Sequence, residues 1–171
     1  MSNMIAQSLL NEFDHEMANT RKVLERVPEN APEFKPHPKS MPLSRLAGHL
    51  AEIPMWAAMT LERDEIDVNP PGGSEFQPGI MKSRQETLAS FDDLTKKARA
   101  ALAATSDEKM MKTWTLKNAG QQVMAMPRVA VFRGFVMNHM IHHRAQLGVY
   151  LRMNNVPLPS LYGPTADEGG M

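Results

Sequence analysis

Apolar residues recur at helical spacing in four stretches of the chain. In the first, about 3–27, Ile5, Leu9, Phe13, Met17, Leu24 and Val27 form one stripe. Pro28, Pro32, Pro36 and Pro38 end it and predict an extended connection. The second helix is expected over about 41–64, opening near Pro42 with Ser40 as its N-cap. Leu43, Leu46, Leu50, Ile53, Ala57 and Leu61 make its stripe, and Pro54 within it predicts a kink. Pro70-Pro71-Gly72-Gly73 and Pro78-Gly79 mark 67–79 as a loop. A third helix follows over about 80–104 through Ile80, Leu88, Phe91, Leu94, Ala98 and Leu102.

Residues 105–126 lose the helical period. Trp114-Thr-Leu116 and Gln122-Val-Met124 flank Lys117-Asn-Ala-Gly120, the pattern of a short hairpin. Pro127 suits the first turn of a fourth helix over about 127–154, whose stripe is Val129, Phe132, Val136, His139, His143, Leu147 and Tyr150. The tail from Val156 onward is too rich in proline to be helical. Four amphipathic helices with long connections predict an all-α four-helix bundle with crossovers, in one domain over 1–171.

That fourth stripe carries the chemistry. His139 and His143 lie about one turn apart, in positions where hydrocarbon is expected. Either other buried groups satisfy them or they hold a metal ion. On a helical wheel His143 sits at about +40° from His139, Gln146 at about −20° and His142 at about −60°. Gln146 therefore shares their face and His142 leans to the edge. A third ligand must come from a facing helix. His49 and His15 are the other helical histidines; His15 flanks Phe13 and Met17, and His37, between two prolines, is expected in solvent. No Glu follows His139, so the zinc-protease helix pattern is missing. A di-iron carboxylate bundle is disfavoured too. Glu52 follows His49 by three, the reverse of the required order, and no acid lies between Pro127 and Asn155.

Composition narrows the partners. Nineteen Lys and Arg balance 19 Asp and Glu, so neither nucleic acid nor an anionic membrane is favoured. No signal-peptide pattern opens the chain and no run reaches the roughly 18 apolar residues of a membrane span, which predicts a cytoplasmic protein. The 15 methionines are expected mainly as core filler. There is no cysteine, so any thiol chemistry must use a small-molecule thiol.

The chain resembles the DinB-like family of four-helix proteins, related to the bacillithiol-transferase and mycothiol-dependent isomerase groups. The resemblance is carried by Leu46-Ala-Gly-His49-Leu-Ala-Glu-Ile-Pro54-Met-Trp56, Met126-Pro127-Arg128 and Asn138-His139-Met-Ile-His142-His143-Arg144-Ala-Gln146-Leu. The closing Val156-Pro-Leu-Pro-Ser-Leu-Tyr162-Gly-Pro164-Thr-Ala-Asp167-Glu168 adds to it. Phe34 stands where relatives often carry Trp. The resemblance implies a metal centre formed by His49, His139 and His143, and a homodimer through helix faces. Three neutral imidazoles would leave a divalent ion, Ni2+ or Zn2+ first and Fe2+ or Mn2+ next, with an open position. The expected activity is transfer of a low-molecular-weight thiol to a small-molecule substrate. The alternatives are a metal-dependent hydrolase and a non-catalytic metal-binding or stress-response protein. Glu16 and Gln146 lie where they can approach the site but are expected mainly as supporting or structural groups. Arg144 is expected to form ion pairs near the bundle end, and Tyr150 to lie in the core with its hydroxyl paired.

Overall fold

The computed structural model describes residues 2–73 and 77–169. Its long helices are α1 (Met4–Leu24), α2 (Leu43–Glu62) and α3 (Arg84–Ala104). A continuous helical run follows, made of α5 (Arg128–Val131), a π-helical segment (Phe132–Asn138) and α6 (His139–Met153). Between the second and fourth long helices lie β1 (Glu65–Asp67), the single turn α4 (Asp107–Met111), β2 (Thr113–Asn118) and β3 (Gln121–Pro127). α1 and α2 each pack against both α3 and the fourth run. The bundle expected from the apolar stripes is therefore present, with a small sheet at one end.

Each departure from the expected boundaries has a local cause. α2 starts without a side-chain cap, so Ser40 does not serve as one. Instead the proline-rich crossover folds back, and the Phe34 and Pro32 carbonyls accept from the Leu43 and Ser44 amides at 3.0 Å each. α3 starts later than the stripe suggested because the Ser83 side chain accepts from the Glu86 amide at 3.1 Å. That leaves Ile80 outside the helix and 61 % exposed, while Met81 is buried in its place. α4 interrupts the stretch expected to be non-helical. Ser106 caps it, and Asp107 accepts from the Ile5 amide at 2.8 Å, tying it to the start of α1.

The hairpin forms where expected. Asn118 pairs with Gln121 across the two-residue turn Ala119-Gly120, whose φ values of 52° and 79° match a type I′ turn. β1, which periodicity did not mark, adds in parallel to β2. Asp67 fixes that addition by accepting from the Ala119 and Gly120 amides at 3.1 and 2.7 Å. Trp114, Ile66, Leu116 and Val131 form a second apolar cluster under the sheet.

Arg128 sets the register between α2 and the fourth run. Its side chain is fully buried and donates to the Thr60 and Arg63 carbonyls at 3.0 Å each, and to the Asp64 carboxylate. Thr60 lies in the last turn of α2 and Arg63 is its C-cap, where carbonyls lack partners within the helix. The pairing makes the two helices antiparallel. Eleven residues back from Thr60 is His49; eleven residues on from Arg128 is His139. Equal residue counts from that grip bring the two imidazoles opposite one another.

Candidate metal centre

His49 comes from the second turn of α2; His139 and His143 occupy the first and fifth positions of α6. All three are half-buried in the groove between the helices. Their Nε2 atoms converge: His139 lies 3.3 Å from His49 and 2.8 Å from His143. One ligand atom from each of the three lies within 4.8 Å of the other two.

The outer nitrogens decide what those contacts are. His49 Nδ1 is 2.6 Å from Glu52 Oε1. His143 Nδ1 is 2.7 Å from Gln146 Oε1, and His139 Nδ1 is 3.3 Å from the Phe135 carbonyl. All three acceptors are oxygens with no proton to give. Each Nδ1 therefore carries the hydrogen, and each Nε2 presents a bare lone pair. Three lone pairs facing one another repel unless something positive lies among them. Nitrogens bound at about 2.0–2.1 Å to one ion sit about 2.9–3.4 Å apart; the His49–His139 separation of 3.3 Å falls in that range and the His139–His143 separation of 2.8 Å lies just below it. Carboxylate, peptide carbonyl and amide carbonyl are also the usual outer partners of metal-ligating imidazoles.

The π-helical segment contributes one of these partners. The His139 amide reaches the Val136 carbonyl, so Phe135 O is turned toward the His139 ring instead of closing a regular α-turn. Nothing in the apolar pattern distinguishes this tightened turn, at the end of the π-helical segment, from a regular one.

Burial weakens the basicity of the two α6 histidines. Burial, reinforced by the surrounding imidazoles and opposed by the Gln146 bond, lowers His143 to about 4. Burial and then His49 lower His139 in the same direction. The solvent side of the groove is lined by the exposed Phe135, His142 and Gln146. The His142 ring lies 5.0 Å from that of His143 but adds no nitrogen to the cluster.

Gln146 thus supports the site through His143, and Glu16 is a structural group away from it, both within the expected roles. Glu16 is buried against Arg144, whose guanidinium donates to its carboxylate at 2.6 Å. Arg144 accordingly forms an ion pair inside the bundle, 2 % exposed, rather than at a solvated end. Tyr150 lies in the core with its hydroxyl donating to the Met41 carbonyl at 3.0 Å. His15 contacts Asn19 at 3.0 Å, away from the cluster, and His37 is exposed. Glu52 is the residue that sequence reasoning passed over. The available signal is its helical spacing of three from His49.

A helical bundle with a three-imidazole cluster between its second and fourth long helices defines the class: a fold with a site compatible with a divalent metal ion. The chain belongs to the DinB family, whose model matches residues 1–169. Two solved structures of DinB-like proteins share the fold. One, from Bacillus cereus ATCC 10987, has a TM-score of 0.67 at 18 % identity, covering 91 % of this chain and 97 % of its own. The other, from Bacillus subtilis, has a TM-score of 0.67 at 19 % identity, covering 90 % and 96 %. No curated protein sequence matches the chain. No described helix is long and apolar enough to cross a membrane.

Proposed function

We propose that this chain binds one divalent transition-metal ion through His49, His139 and His143, and uses it as a metal-dependent thiol transferase. The observation that carries the metal reading is the set of three convergent Nε2 lone pairs, each fixed by an acceptor on Nδ1. Neutral imidazoles favour Ni2+ or Zn2+, with Fe2+ or Mn2+ as further candidates. When bound, such an ion supplies Lewis acidity and lowers the pKa of a coordinated thiol or water.

The chain's own residues prepare the ground for that chemistry. Glu52, Phe135 and Gln146 hold the imidazoles in one tautomer. Their low basicity keeps His139 and His143 free of protons near pH 7. The exposed edge at Phe135, His142 and Gln146 leaves one side of the cluster open for a small molecule. With no cysteine in the chain, the thiol must arrive on a cofactor-sized molecule. The same open edge suits a hydrolase, with water in place of the thiol.

Two measurements test this reading. Protein purified without an affinity tag should carry about one metal ion per chain, and His139→Ala about none; equal metal content in the two would end the metal proposal. The loaded protein should conjugate monochlorobimane with bacillithiol, mycothiol or glutathione in a metal-dependent way. Absence of turnover with every thiol removes the transferase reading and leaves the metal site standing.

A further inference from the structure

The three imidazoles are not held equally. Gln146 and Phe135 are exposed, and each gives its histidine one acceptor. Glu52 is 7 % exposed and has three partners. Its Oε1 accepts from His49 Nδ1 at 2.6 Å and lies 3.4 Å from the Arg45 guanidinium. Its Oε2 accepts from the Gly79 amide. Arg45 closes the ring by donating to the Gly79 carbonyl at 2.9 Å.

Glycine on both sides lets the loop come this close. A methyl on Gly48 would sit 2.4 Å from the Gly79 carbonyl oxygen. A methyl on Gly79 would sit 2.6 Å from Glu52 Oε2 and 2.8 Å from the Gly48 carbonyl oxygen. Backbone therefore packs on backbone one residue before His49, where neither chain has room to yield. Both carboxylate oxygens are committed, one to the imidazole and one to the loop. A buried carboxylate fixed at both ends can move only if the loop at Gly79 moves with it.

We propose that Glu52 is the positioning residue of this centre: clamped by Arg45 and the Gly79 amide, it holds His49 in the ligand tautomer and couples His49 to the loop. The inference rests on the three-histidine metal reading. It assigns Glu52 no contact with the ion. Glu52 acts through His49, and the Gly79 segment is the part of the fold that should respond when the site fills.

The test uses Co2+ as the probe and follows its visible absorption in competition with a chelator. Glu52→Gln keeps the shape, but an amide has a single acceptor oxygen. It cannot accept from both His49 Nδ1 and the Gly79 amide, so one bond must fail. Co2+ affinity should fall about 10- to 100-fold, with an altered absorption envelope, while the ion-free variant keeps the wild-type far-ultraviolet circular dichroism. Hydrogen exchange at the Gly79 amide should slow on Co2+ binding in the wild type, and respond less in the variant.

Gly79→Ala is the second route, since it removes no charge and no hydrogen-bonding group. Its methyl displaces Glu52, and affinity should fall several-fold. A folded Glu52→Gln or Gly79→Ala protein with wild-type Co2+ affinity overturns the proposal. If the wild type binds no Co2+, or His139→Ala binds it equally well, the metal reading itself fails. The two failures are therefore separable.

Discussion

His143 and Arg144 are neighbours on α6, yet they belong to polar clusters of opposite character. His143 faces α2 and Arg144 faces α1. Around Arg144 every group finds a complement. Its guanidinium donates to the Glu16 carbonyl at 3.0 Å, the Thr20 hydroxyl at 3.1 Å, the Glu16 carboxylate at 2.6 Å and the Tyr162 hydroxyl. Tyr162 in turn donates to Glu16 at 2.6 Å, and its ring lies over the guanidinium. Around His143 the outer nitrogens are satisfied and the inner ones are not: acceptor faces acceptor. A cluster that closes on itself needs nothing more and serves the fold. A cluster that leaves like groups facing one another is compatible with a cation among them, and its edge is half-exposed.

The largest effect should come from the closed cluster. Arg144→Met leaves the Glu16 carboxylate buried without its cation, which costs about 3–5 kcal/mol. Chemical denaturation measures the loss. Glu16→Leu combined with Arg144→Met should recover much of it, because no buried charge then remains. Metal content per folded chain should stay at the wild-type level. A loss of metal in the folded Arg144→Met protein would break the division between the clusters.

The open cluster should respond to pH instead. His139 and His143 titrate lower in the fold than the roughly 6.5 of an exposed imidazole, His143 at about 4. As pH falls, the unfolded chain therefore takes up these protons first. The contribution of the neutral histidines to stability is present above about pH 6.5 and is lost as pH falls toward about 4. The midpoint of thermal unfolding of ion-free protein, followed between these limits, should decline with pH. His143→Gln should flatten the decline. An unchanged slope in that variant would place the acid sensitivity elsewhere.

The residues themselves show what could be read from the chain and what could not. His139 and His143 converge because a spacing of four is a property of one helix, visible before any tertiary contact. The hairpin was legible for the same reason, since Ala119-Gly120 supplies its own turn. β1 has only three residues, and its partner lies about 50 positions away, so no local pattern announces it. A structural role for Glu16 was legible, but its partner Arg144 was not, because that pairing is fixed by helix packing, which a wheel does not encode. Glu52 needed Gly79, brought to α2 by a loop, before its role could be seen. His49 reached the proposed triangle through the family resemblance and the facing-helix requirement. Its alignment with His139 follows from Arg128 gripping the end of α2.

The smallest effect tests how sharply the two clusters are separated. Tyr162 reaches Arg144 and Glu16 from the C-terminal tail, which is itself pinned by Asp167 to Arg152 at 2.5 Å and to the Leu158 amide at 2.8 Å. Burial and the Glu16 bond raise the Tyr162 pKa, so its hydroxyl keeps its proton. Tyr162→Phe removes two hydrogen bonds but leaves the Arg144–Glu16 ion pair and the ring over the guanidinium. The expected cost is about 1 kcal/mol, or roughly 2–4 °C in Tm for a chain of this size. Co2+ affinity should not change, because Arg144 and His143 sit about 100° apart around the helix and share no partner. An affinity loss in this variant would mean that the tail reaches the histidines through α6. The closed cluster would then serve the open one as well as the fold.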